Sequence, residues 1–233
     1  ISNDFGGIEG WQHGPMMIFN NLSHDARGQW EGRRKFDNHS PGFGHAYYLD
    51  GAFKAYLFNN IAWGRSNDDT SKLVNCAAFQ EIHSYQNMFF NNTIYNYYVG
   101  SRRQNPYAGR DKFLGNIWSH ISKRVFRHAN PEGTRKKTFA YETNAYAKNL
   151  FYEVAEFGVF ETSGRRHRSF EDFRIALKEA NTIEWELGQM SSEPLLSDPN
   201  YGDFRPRLGS KAIDNGVVTF VPWPLCAVVG EWH

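Results

Sequence analysis

The apolar positions of this chain fall in runs of four to six residues, each closed by asparagine or glycine. Met16-Met17-Ile18-Phe19-Asn20-Asn21-Leu22 is echoed by Ala55-Tyr56-Leu57-Phe58-Asn59-Asn60-Ile61 and by Asn87-Met88-Phe89-Phe90-Asn91-Asn92-Thr93-Ile94. Lys112-Phe113-Leu114-Gly115-Asn116-Ile117 and Ala145-Tyr146-Ala147-Lys148-Asn149-Leu150-Phe151 repeat the phrase more loosely. Each copy is a short run of β-formers, a polar stop and a further apolar residue. The asparagines at 21, 60, 92, 116 and 149 lie 39, 32, 24 and 33 residues apart. A second apolar segment runs ahead of the first three copies: Gly7–His13, Gly44–Gly51 and Ala77–His83.

Self-similarity at such periods means stacked units, because one unit cannot bury its own apolar face. Helical repeats are excluded by the brevity of the apolar runs. A propeller blade needs four strands in ~40–45 residues, and the 24-residue interval is too short for that. A parallel β-solenoid accommodates the variable spacing as loops, here expected near 23–43, 62–75 and 97–111. Asparagine suits its corners: it tolerates a left-handed backbone, and its amide can bond to the same residue in the units above and below. The expectation is an all-β fold, a right-handed parallel β-helix with long inserted loops. One domain would span 1–220, and 221–233 would begin a following segment or form an end strand. The tail adds a single short helix near 169–180, with Ser169 as N-cap, Asp172 three residues on, and a stripe of Phe170, Phe173, Ala176, Leu177 and Ala180.

Composition fits short strands joined by polar turns: aromatic residues make up 16% of the chain, yet its mean hydropathy is −0.63. The formal charge of +1 names no partner, although Tyr97–Phe170 holds 14 Lys/Arg against 6 Asp/Glu. That local excess suits an anionic polymer, while the absence of a recognition-helix or stacking-sheet motif argues against nucleic acid. No apolar run approaches the ~20 residues of a membrane span. Cys76 and Cys226 have no metal-type spacing. The chain starts at Ile1 and stops within a strand-like run, so it is expected to be the C-terminal part of a longer β-helix, whose preceding part completes the fold.

Near the end, Asp198-Pro199 opens a phrase that continues through Asp203-Phe204-Arg205-Pro206 to Ser210-Lys211-Ala212-Ile213-Asp214-Asn215-Gly216. It resembles the closing phrase of the pectate-lyase-like right-handed parallel β-helix superfamily, with Lys211 where that pattern usually has proline. The resemblance implies a secreted, extracellular or periplasmic, carbohydrate-active protein whose partner is a polysaccharide. Fold alone transfers a substrate class and no reaction. It carries over no catalytic residues.

The candidate chemistry therefore rests on the outward residues of the stacked strands, where neighbours are ~4.8 Å apart. Asp50 and Glu81 are the expected catalytic carboxylate pair of a glycoside hydrolase, with His83 and His13 assisting. His45, Trp11, Trp30, Arg33, Arg34, His39 and Lys54 are the expected substrate contacts, aromatic rings stacking on sugars and cations pairing with anionic groups. Trp63 and Trp118 follow ladder positions and are expected to pack. Two rival readings stand beside the hydrolase: a lyase on an acidic glycan using Lys54, Arg33 or His39, and a non-catalytic glycan-binding or structural β-helix. No nucleotide-binding, esterase-elbow or zinc-protease motif is present. No cofactor is expected, with calcium near Asp68-Asp69 the one possibility.

Overall fold

The computed structural model describes residues 5–26, 44–64, 76–104, 109–129, 144–160, 165–180 and 186–219. Its strands recur in groups of three. The first repeat is β1 (Phe5–Trp11), β2 (Met16–Phe19) and β3 (Leu22–His24); the second is β4 (Gly44–Asp50), β5 (Ala55–Phe58) and β6 (Ile61–Trp63). In the third, β7 (Ala77–Ile82) and β8 (Met88–Phe90) lead into β9 (Thr93–Gln104). The fourth has β10 (Lys112–Leu114) and β11 (Ile117–Ala129); the fifth has β12 (Ala145–Ala147), β13 (Asn149–Val154) and β14 (Gly158–Phe160).

Equivalent strands of successive repeats pair in parallel. One sheet runs β2-β5-β8-β10-β12. The other runs β1-β4-β7-β9-β11-β13, and the start of β9 also pairs with β6 and thereby β3. β9 and β11 thus each serve two sides of the stack: Thr93 pairs with Ile61, whereas Val99 pairs with Ala77. The mostly β, parallel architecture agrees with the sequence pattern.

The asparagine column forms as the spacing required. Asn21 Nδ2 donates to Asn60 Oδ1 at 3.1 Å, Asn60 to Asn92 at 3.1 Å, Asn92 to Asn116 at 3.0 Å and Asn116 to Asn149 at 3.2 Å. Each Oδ1 also accepts the backbone N–H of the asparagine before it in the column. The two duties assigned to one asparagine are divided between neighbours. The left-handed backbone belongs to the residue just ahead, Asn20, Asn59, Asn91, Gly115 and Lys148, with φ between 53° and 63°. The following asparagine supplies the side-chain bonds.

A second polar column was not foreseen. Asn87, Asp111 and Asn144 stand five residues ahead of ladder asparagines. Their Oδ1 atoms accept the backbone N–H groups of Ala55, Asn87 and Asp111 at 3.0, 2.8 and 3.0 Å. Between the columns, Leu57, Phe89, Phe113 and Tyr146 are fully buried in register. The Phe89 and Phe113 rings stack at 4.7 Å.

Beyond the fifth repeat lie β15 (Arg165–His167) and the helix α1 (Phe170–Glu179), capped by Ser169 Oγ accepting from Asp172 N–H at 3.0 Å. Phe173 and Leu177 are buried, and Phe173 stacks on Phe126, so α1 covers the apolar interior at that end. The chain then adds β16 (Gly188–Met190) beside β13 and an antiparallel pair, β17 (Leu196–Asp198) and β18 (Asp203–Pro206), separated by a 3-10 turn. The phrase expected to close the fold lies across the outside of the stack. Asn215 Nδ2 donates to Lys148 O, Val217 N–H donates to Asn91 Oδ1, and Thr219 Oγ1 reaches Met88 Sδ. Residues 221–233, expected to begin a further segment, lie outside the described residues.

Candidate functional site

Strand pairing decides which side chains meet. Trp11 pairs with Asp50, Asp50 with Ile82, and Leu49 with Glu81. Side chains alternate across a sheet, so a one-residue offset sends Asp50 and Glu81 to opposite faces. The expected Asp50–Glu81 catalytic pair is therefore corrected: the two carboxylates share neither a register position nor a side of the sheet.

Glu81 faces inward and is fully buried. Its Oε1 accepts from Asn87 Nδ2 at 3.1 Å, and its Oε2 lies 3.7 Å from the Arg103 guanidinium. Arg103 also binds Asp111, which is fully buried as well. His128 continues this inner row as the register partner of Arg103, its ring bridging Ser101 Oγ at 2.8 Å and Tyr146 OH at 2.7 Å. Burial raises the pKa of Glu81 despite Arg103, and burial together with Glu81 raises that of Asp111. Burial also holds His128 well below its ordinary pKa. Two carboxylates thus face one guanidinium in a buried interior. This cluster is an internal brace, out of reach of a polymer outside.

His45 is corrected in the same way. It is fully buried, its Nδ1 accepts from Ala77 N–H at 3.1 Å, and burial followed by Arg102 lowers its pKa well below the usual imidazole value. That neutral ring fastens one strand to the next. His83 is exposed, but its left-handed backbone (φ 52°) places it in a corner column with Gln12 and Gly51. Lys54 is an exposed corner residue too, with φ 53°. His13 is exposed with Nδ1 at 3.0 Å from Trp11 O. Trp30, Arg33, Arg34, His39, Asp68 and Asp69 lie outside the described residues. Trp118 is buried and donates to Asn149 Oδ1, whereas half-buried Trp63 stacks against His24 at 4.0 Å.

What remains together is the outer side of the sheet that contains β1, β4 and β7. Trp11, 64% exposed, adjoins Asp50, and exposed Glu9 adjoins Tyr48 two residues earlier on the same side. The row through Glu9 continues as Tyr48, Gln80, Arg102 and Arg127, of which Tyr48, Gln80 and Arg102 are buried. Glu9 was missed because it sits between glycine-flanked apolar residues with no partner in the sequence; its signal was alternation with Trp11. Among the described residues no group of three metal-ligating side chains occurs, and no helix is long and apolar enough to cross a membrane. No protein-family model matches this chain, and no curated protein or solved structure is significantly similar to it.

Proposed function

We propose that the repeats close into a right-handed parallel β-helix and that the protein is a secreted glycoside hydrolase that degrades polysaccharide on the outer side of the sheet begun by β1 and β4. The observation that carries this reading is the register that puts Glu9, Trp11 and Asp50 on one outward side. Strands ~4.8 Å apart with a rise of ~3.3 Å per residue put the backbones of Glu9 and Asp50 roughly 8 Å apart on the diagonal, with both side chains leaving the same side. That separation suits an inverting pair, whose carboxyl groups stand ~6.5–9.5 Å apart to admit a water. One carboxyl acts as the acid on the glycosidic oxygen, the other as the base on that water. Trp11 offers its ring as a stacking surface for a sugar.

The test is release of reducing ends from a panel of neutral and acidic polysaccharides. Glu9→Gln and Asp50→Asn each lower kcat by at least about a hundredfold with unchanged melting temperature, while Trp11→Ala chiefly raises KM. Cleavage that survives both carboxylate changes contradicts the reading. A lyase on an acidic glycan is the second reading, favoured by the half-buried Arg127 at the far end of the same row. Ultraviolet-absorbing unsaturated products distinguish it.

A further inference from the structure

A different constellation lies on the side formed by β3, β6, the start of β9, the start of β11 and β13. Its outward row reads His24, Trp63, Tyr95, Ser119 and Tyr152, each the register partner of the next. Ser119 is the one small residue, set between two tyrosines. His120 follows it with a left-handed backbone (φ 56°), which turns the imidazole back over the serine. Ser119 Oγ lies 2.8 Å from His120 Nδ1, and His120 Nε2 lies 3.0 Å from Glu153 Oε2. The tyrosine rings flank the imidazole, with centroids at 4.9 Å for Tyr95 and 5.5 Å for Tyr152. Asn200 fixes Tyr95 by accepting from its hydroxyl at 2.7 Å.

A hydroxyl, an imidazole and a carboxylate in hydrogen-bonded sequence form the arrangement that turns serine into a nucleophile. The geometry points to Ser119 as the nucleophile of an acyl-transfer site for a carboxylic ester, with His120 as its base and Glu153 orienting the imidazole. Glu153 keeps the proton on Nε2 and leaves Nδ1 to receive the serine proton. Ser119 is 2% exposed, while the side chains of His120 and Glu153 are 36% and 55% exposed, so an ester approaches from the imidazole side. Burial lowers the His120 pKa against the opposing pull of Glu153, and the ring stays neutral and able to accept.

The steps balance without a cofactor. Ser119 Oγ bonds to the ester carbonyl carbon as its proton passes to His120 Nδ1. The carbon–oxygen bond to the alcohol then breaks, and the alcohol departs with that proton. Water attacks the Ser119 acyl ester and gives a proton to the same imidazole. The carboxylic acid leaves, and Ser119 recovers its hydroxyl from His120.

The experiment treats the folded chain with a fluorophosphonate and locates the adduct by peptide mass spectrometry, alongside hydrolysis of p-nitrophenyl acetate. The expected result is one adduct on Ser119, absent in Ser119→Ala. Its formation slows by at least about tenfold in Glu153→Gln and in His120→Gln, with circular dichroism unchanged in all three variants. No adduct at Ser119, or equal rates in wild type and Glu153→Gln, overturns the proposal. A variant that loses its fold is replaced by Glu153→Asp, in which slower labelling supports the assignment and an unchanged rate opposes it.

Discussion

At the scale of single residues, Glu81 and Asp111 both face Arg103 in the interior of the stack, and among the described residues no second cation is bonded to them. Both carboxylates have raised pKa values, with burial the first cause in each. A carboxyl whose folded pKa exceeds its unfolded value of ~4 contributes stability that is full below that value and fades as pH rises through the folded pKa. The wild-type protein therefore loses stability from the acid side toward neutral pH. Asp111→Asn, which retains an Oδ1 for Asn87 N–H, flattens this slope, as urea unfolding at a series of pH values will register. The same change leaves Glu81 and Arg103 as a balanced pair. An Asp111→Asn protein with the wild-type slope would place the titration elsewhere. The misreading of Glu81 also belongs to this scale. Counting back ten residues from Asn21, Asn60 and Asn92 gives Trp11, Asp50 and Ile82, the observed register partners. Glu81 stands eleven residues ahead of Asn92 and breaks that interval by one, and one residue reverses the face.

Elements were legible where the side chains that form them lie close in sequence. The helix announced itself through Ser169, Asp172 and an apolar stripe, and α1 keeps that cap and buries Phe173 and Leu177. Phe173→Ala removes a ring packed on Phe126 and is expected to cost about 3–5 kcal/mol, whereas Ile175→Ala, at a 46% exposed position, stays within about 0.5 kcal/mol. Chemical denaturation compares the two. Equal costs would detach α1 from the apolar interior. The strands ending in Asn-Asn were equally readable. The column of Asn87, Asp111 and Asn144 was hidden because one member is an aspartate and the first two repeats carry no polar equivalent at that place. Its only trace is the constant interval of five to the next ladder asparagine.

At the scale of the whole molecule, stacking makes neighbours of residues 24 to 39 positions apart, and the final segment ties several repeats together from outside through Asn215, Val217 and Thr219. The mostly β, parallel architecture followed from the recurring asparagine because that residue performs the same bond in every repeat. The outer site did not follow, since register chooses the face and the sequence shows only order. Everything outside the core depends on that register. Its most direct test is nuclear magnetic resonance of the asparagine side-chain amides in selectively labelled protein. Slowly exchanging Hδ2 protons with cross-peaks linking Asn60 to Asn92, Asn92 to Asn116 and Asn116 to Asn149 are predicted. Fast-exchanging amides with no such connections would contradict the stacked column and the outer site that rests on it.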